Sequence, residues 1–279
     1  MLSRLRAMLA ACLVVLLGFG QNRASVLMPG ESEKPTAEEL KKAQTQVQED
    51  LAKLKSDFGQ VQTIPDDVVV QTFPKHLFFS VVFPQFPVAR QPEKPLKASV
   101  IYAVPRGKDG KLQLLTDDKE LEAFFRDALG AVREDGKARD VAFSWLKLSP
   151  VFSQDGFYKF ELMDDSIKVT AEGPKRTVTG KVVVMAGGNG EIAVNLRWDE
   201  AGKLAVAEPT VNLKRGVRPK CQATKLLDPD PIVRAIAEQD ILIMGRAAKH
   251  YLDEQRAKAR PELQQAIDQI WKRIGEEDR

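Results

Sequence analysis

Between Gly156 and Leu213 apolar and polar residues alternate in a pattern that a pleated sheet can bury on one side and an α-helix cannot. The clearest run is Glu191 to Asp199, where Ile192, Val194, Leu196 and Trp198 fall on one face and Ala193, Asn195 and Arg197 on the other. Turn residues bound it, Gly187-Gly188-Asn189-Gly190 before and Asp199-Glu200-Ala201-Gly202 after, types that accept positive φ or bond their own backbone. Upstream, Val178, Val182 and Val184 alternate through Arg176 to Met185, and Gly180 predicts a bulge or a close approach of another element. Tyr158, Phe160 and Leu162 are expected to pair with Ile167 and Val169 across a Met163–Ser166 turn. The last strand runs from Leu204 and Val206 to Val211 and Leu213, interrupted at Pro209. Together these make a five-stranded antiparallel meander with one wet face, which needs a cover on the other.

Helices before the meander supply that cover. Thr116 reads as the N-cap of a helix carrying Leu121, Phe124, Phe125 and Leu129, and a second helix from Ala138 to Leu148 shows Val141, Trp145 and Leu148 before stopping at Pro150. Earlier, Thr36 with Glu39 forms a capping box for a helix whose stripe is Leu40, Val47, Leu51, Leu54 and Phe58, ending at Gly59 and docking on its own domain. The stretch from Gly59 to Pro105 is rich in proline and phenylalanine, with Phe73-Pro74, Phe83-Pro84 and Phe86-Pro87. Within it His76 to Phe83 is apolar on both faces and predicts a buried or edge strand. Lys97 to Val104 predicts another strand, joined by a Gly-Lys-Asp-Gly turn to Leu112–Leu115. The expected class is α+β, a meander covered by helices. Its general outline is similar to cystatin-like and NTF2-like shapes, which carries a second functional expectation: a small-ligand-binding or hydrolytic pocket between sheet and helices.

Residues 1–20 have the layout of a secretory signal, with Arg4 and Arg6, then an uncharged run from Ala7 to Phe19 too short for a comfortable membrane span. Leu9-Ala10-Ala11-Cys12 has the form of a lipoprotein cleavage box but precedes most of that run, so lipidation is not expected. A formal charge of +3 falls to +1 once Arg4 and Arg6 leave with the signal, and a near-neutral chain has no global bias towards nucleic acid. Cys221 is then the lone cysteine, which excludes an internal disulfide and is expected to be a buried, inert thiol.

Past the meander, Lys214 to Lys220 is a short basic linker with Gly and Pro. Then Asp228-Pro229-Asp230-Pro231-Ile232-Val233-Arg234 is followed by Ala237, Ile241, Met244 and Gly245. Acidic residues and proline suit a first helical turn, the 233/237/241/244 spacing makes one buried face, and glycine ends it. A second helix is expected from Arg246 to about Lys258, and Pro261 starts a third with Leu263, Ile267, Ile270, Trp271 and Ile274 inward. Residues 226–274 thereby resemble a HEAT-like helical repeat, in which the arginine matching Arg234 often pairs with acidic residues of neighbouring repeats. Little more than one repeat is present, so the resemblance implies a block that packs on the α+β part or on a partner instead of a free-standing solenoid. Lys249, Asp253 and Arg256 share one face of the second helix and are the candidate partner-binding residues. The expected organisation is a signal (1–20), a flexible tether (21–35), the α+β domain (36–213), the basic linker (214–225) and the HEAT-like block (226–279).

No catalytic constellation stands out. His76 and His250 are far apart, and His250 with Glu254 gives only two of the ligands a zinc site needs. The glycine run lacks the Lys-Ser/Thr of a phosphate loop, and Asp66-Asp67, Asp117-Asp118 and Asp164-Asp165 sit where turns and helix starts use carboxylates. Asp228 and Asp230 lack the other ligands of a calcium loop. The sequence therefore predicts an exported, non-enzymatic binding or scaffold protein of the cell envelope or exterior. It needs no cofactor, engages a protein through its C-terminal helices, and meets the membrane only if residues 1–20 stay attached.

Overall fold

The computed structural model describes residues 34–56, 59–83, 96, 99–107, 110–155, 157–216 and 222–277. The expected signal and nearly all of the tether, Phe58, the Phe86-Pro87 pair, Gly156, most of the basic linker and Cys221 lie outside the described residues.

The first helix, α1 (Ala37–Lys53), opens on a closed capping box: Thr36 Oγ1 accepts from Glu39 N–H at 3.2 Å and the Glu39 carboxylate accepts from Thr36 N–H at 2.8 Å. It stops short of Gly59 because Lys55 adopts φ 53° and turns the chain away, which leaves Leu54 exposed instead of in the stripe. Strand β1 (Gln60–Thr63) leads into α2 (Asp67–Thr72), a single short helix the sequence reading missed, capped by Asp66 Oδ1 accepting from Val68 and Val69 N–H. Strands β2 (His76–Val82), β3 (Ser99–Pro105) and β4 (Gln113–Leu115) complete a four-stranded antiparallel sheet in the order β1-β2-β3-β4.

The residues upstream of the meander thus build a sheet of their own. The expected α+β class, a meander covered by helices, holds, and behind those helices lies this additional sheet, built from strands that the sequence predicts only as separate segments. Alternation explains why β2 and β3 are apolar on both faces. Leu77, Phe79 and Val81, opposite Val104, Tyr102 and Val100, pack with Ala43, Val47 and Leu51 of α1. Phe78, Ile101 and Ala103 point the other way, towards α2 and the two helices that follow.

Those helices are α3 (Asp118–Ala128) and α4 (Asp135–Leu148). The cap of α3 is Asp117, not Thr116: its Oδ1 accepts from Lys119 and Glu120 N–H, while Thr116 N–H donates to the Glu120 carboxylate. In α4 the start is three residues earlier than the sequence predicts, and a 3-10 turn over Ser149–Ser153 carries Pro150 past the α-helical end. Phe73, Phe78, Phe124, Phe125 and Trp145 meet in a cluster of tilted and edge-on rings, with Phe73–Phe125 centroids 4.7 Å apart and Phe125–Trp145 5.1 Å apart.

His76 stands edge-on to Phe124 at 5.0 Å, and burial, then the Lys75 charge, holds its imidazole below the ordinary 6.5. A histidine that folds neutral adds stability above its unfolded value and loses it as pH falls through the folded value. The melting temperature should therefore drop as pH is lowered below about 6.5, and His76→Gln should flatten that part of the profile, measured by thermal melts across pH.

The second sheet holds β5 (Lys159–Leu162), β6 (Lys168–Glu172), β7 (Lys175–Ala186), β8 (Gly188–Trp198) and β9 (Leu204–Arg215). Its order is β5-β7-β8-β9, with β6 also on β7. The expected pairing of Tyr158–Leu162 with Ile167–Val169 does not form. Both short strands lie along the same edge of β7, β5 opposite Val182–Ala186 and β6 opposite Lys175–Thr179. A strand of twelve residues has room for two partners end to end, and the Met163–Ser166 turn stays on that edge: Met163 N–H donates to Lys181 O, and Ser166 Oγ accepts from Lys181 N–H at 3.0 Å. Pro209 does not interrupt β9. It sits in register with Val194 on the edge strand, where a missing N–H costs no ladder bond. Gly180 is the close approach, not a bulge: a Cβ there would lie 2.8 Å from Leu146 Cδ1 of α4.

Val178, Val182, Ile192, Val194, Leu196 and Trp198 share a core with the aromatic cluster, so the layers run α1, first sheet, α2–α4, second sheet. Each fully buried side chain of this size contributes roughly 1.5–3 kcal/mol, which makes the double-sided helical layer the main source of cohesion.

Candidate functional site

Three helices close the chain, and they bury a core separate from the sheets. Asp230 caps α5 (Pro231–Met244) by accepting from Ile232 N–H at 2.8 Å, Pro231 takes the first helical position, and Gly245 ends the helix at φ 55°. A 3-10 turn over Gly245–Ala248 replaces the expected first turn of the second helix, so α6 begins at Lys249 and runs to Lys258; α7 follows, Pro261–Glu277. Ala237, Ile241 and Met244 of α5 meet Leu252 of α6 and Leu263, Ile267, Ile270 and Ile274 of α7, with Ala223 and Leu226 sealing one end. Arg234 donates to the carbonyls of Asp228 and Pro229, so it braces the turn at the start of its own helix.

The block meets the second sheet through Tyr251 and Glu254. The Phe157 and Tyr251 rings lie 6.1 Å apart, and Lys159 Nζ reaches the Glu254 carboxylate at 3.1 Å. Burial pushes the Glu254 acid up, but hydrogen bonds and charge from Lys159 and Lys258 outweigh it and hold the carboxyl below its ordinary range. Glu254 is therefore occupied by two lysines and is not a metal partner for His250; among the described residues no cluster of three metal-ligating side chains exists.

The three candidate partner-binding residues separate. Arg256 forks onto Asp268 at 2.7 and 3.0 Å, tying α6 to α7; the bond from Arg256 holds the Asp268 carboxyl low and raises the guanidinium in turn. Lys249 pairs with Asp253 one turn on, and its ammonium also sits 5.5 Å over the Trp271 ring. Lys249 and Asp253 line a cleft of about 630 Å3 between α6 and the Gly187–Gly188 corner of the second sheet; Arg256 does not. Lys214 and Arg215, read from sequence as linker, are the last residues of β9 and form the opposite wall.

A second feature escaped the sequence reading. Ile243, Ile232 and Ile236 are 75%, 68% and 52% exposed, the most open large apolar residues on any helix described here. Steps of four and seven residues place all three on one stripe of α5, facing away from Ala237, Ile241 and Met244. The signal was present in the sequence as a second 3.6-residue series beside the buried one.

Elsewhere the polar groups serve the fold. Asp66 and Asp117 cap helices, and Asp164 and Asp165 lie in a 3-10 turn. Phe124, Phe125 and Trp145 of the helical layer are each at most 3% exposed, and a cleft of about 370 Å3 lies between α4 and the second sheet, lined by Leu146, Lys147, Phe160, Leu162 and Val182. Comparison with known proteins finds no matching family model, no matching curated protein and no matching solved structure.

Proposed function

We propose that this chain is an exported, non-enzymatic binding or scaffold protein of the cell envelope, and that it engages a protein partner through its C-terminal helices. The observation that carries the reading is the two-faced α5. A surface helix needs one apolar stripe, and α5 has one in its own core and a second, Ile232/Ile236/Ile243, open to water. Contiguous apolar surface of this kind marks contact sites. The HEAT-like reading of residues 226–274 supports the same role, since a single helical hairpin leaves bare the face on which a neighbouring repeat stacks. The signal-like residues 1–20 support export.

Replacing Ile236→Asp and Ile243→Asp together tests this. Both side chains are exposed, so the melting temperature should hold, each change falling within about 0.5 kcal/mol. Crosslinked pull-down from an envelope fraction should lose the wild-type partner, because each isoleucine buried on a partner supplies roughly 1.5–3 kcal/mol. Retention of the same partner by the folded double variant would refute the docking face.

A further inference from the structure

We infer that α5 pairs antiparallel with the α5 of a second copy of this chain, the two exposed stripes meeting as the seam of a twofold dimer. The pairing rests on the docking role proposed above for this face. Gln239, also exposed, completes the stripe between Ile236 and Ile243, so that positions 232, 236, 239 and 243 follow one another in steps of four, three and four. Alternating steps of three and four are what a helix presents along the seam of a coiled-coil pair. Here the series also reads the same from either end. Its midpoint falls between Ala237 and Glu238, and the helix itself, Pro231–Met244, has its midpoint at the same place.

A twofold interface requires a patch that complements itself, since every contact of one residue with another is repeated with the roles exchanged. Two copies of α5 laid antiparallel about that midpoint meet the requirement. Ile232 comes level with the partner's Ile243, and Ile236 with the partner's Gln239. The helices then overlap over all 14 residues, and no isoleucine projects beyond an end. None of the four seam positions carries a charge, and ionic groups further round α5 are engaged within the chain, Arg234 on the carbonyls of Asp228 and Pro229 and Glu238 with Arg273. Antiparallel packing also sets the positive end of each helix dipole beside the negative end of the other, which a parallel pair does not. A polar residue at one seam position, here Gln239, fixes register at a cost in affinity. Helices about 21 Å long place the buried area at the low end of specific interfaces, so the dimer should be reversible in the micromolar range. Both stripes are used up in the pair, so association stops at two copies.

Sedimentation of the full chain without residues 1–20, across micromolar concentrations, tests this. The expected result is a monomer–dimer equilibrium that Ile243→Asp weakens at least tenfold, while Met185→Asp, at an exposed apolar position on β7, leaves it unchanged. Melting curves confirm folding, and Ile236→Ser is the second variant should Ile243→Asp fail to fold. In a Cys221→Ser background, oxidation should link Ile232→Cys chains to Ile243→Cys chains, and should not link Ile243→Cys chains to one another. A chain that stays monomeric throughout, equal losses in Ile243→Asp and Met185→Asp, or linkage among Ile243→Cys chains alone would overturn the inference. The docking reading would survive that result if the pull-down still lost a different protein on Ile236→Asp with Ile243→Asp, and would fall with it if the pull-down found none.

Discussion

Trp145→Ala should lower the melting temperature by roughly 6–20 °C, the loss that about 3–5 kcal/mol produces in a chain of this size. Trp145 is fully buried in the last turn of α4, one ring edge against Phe125 at 5.1 Å, in the core to which both sheets contribute. The cavity left by alanine would be walled by residues of three layers, and a β-sheet on each side cannot collapse inward without breaking its ladder. Trp145→Phe should cost much less. It removes an indole N–H that is buried with no hydrogen-bond partner among the described residues, which offsets part of the lost packing. Chemical and thermal denaturation of the two variants side by side checks both the size and the order of the effects.

Gly190→Ala should destabilise the second sheet by about 2–3 kcal/mol or more. Gly190 sits at φ 116°, where side chains bearing a Cβ are strained, and a methyl group there would lie 2.0 Å from the Asn212 carbonyl oxygen. Relief requires the Gly190–Leu213 pairing of β8 with β9 to open, and β9 is the edge of the sheet, so fraying should spread to Arg215. Gly173→Ala is the control. It also has positive φ, at 60°, but no atom lies within 4 Å of the added methyl, so only the backbone penalty remains. Equal losses at the two positions would show that the close contact with Asn212 contributes nothing.

How far the fold could be read in advance depended on how many faces each element buries. Strands β7 and β8 were legible because the second sheet is wet on one side, so Ile192, Val194, Leu196 and Trp198 alternate with polar neighbours. Strands β2 and β3 were visible as segments, but with both faces covered their residues carry no in–out rhythm, and nothing local states that they pair with each other. Helix α2 has six residues, too few for a helical period, and its one cue was Asp66 ahead of three valines. The register of β5 and β6 along β7 was illegible for a different reason: a four-residue turn between two short strands reads as a hairpin unless the length of the shared partner is known.

The candidate site divides along the same line. Lys249 and Asp253 were placed correctly on one face of α6 by spacing alone, and their neighbours in the cleft, Lys214 and Arg215, come from a strand over thirty residues earlier, a proximity no local pattern encodes. Arg256 has the same spacing yet is spent on Asp268, twelve residues on, across the α6–α7 turn. The exposed stripe of α5 was available to sequence, since Ile232, Ile236 and Ile243 recur on a helical period. The 233/237/241/244 series masks it, because one apolar stripe is all that a surface helix requires.

The most direct test of the binding role is a photo-crosslinking residue placed at position 243 in the full chain within its own cells, with the same residue at position 119 as control. The account predicts a discrete adduct with one protein from position 243 and none from position 119. An absence of any adduct at 243, or the same smear of products from both positions, would contradict it.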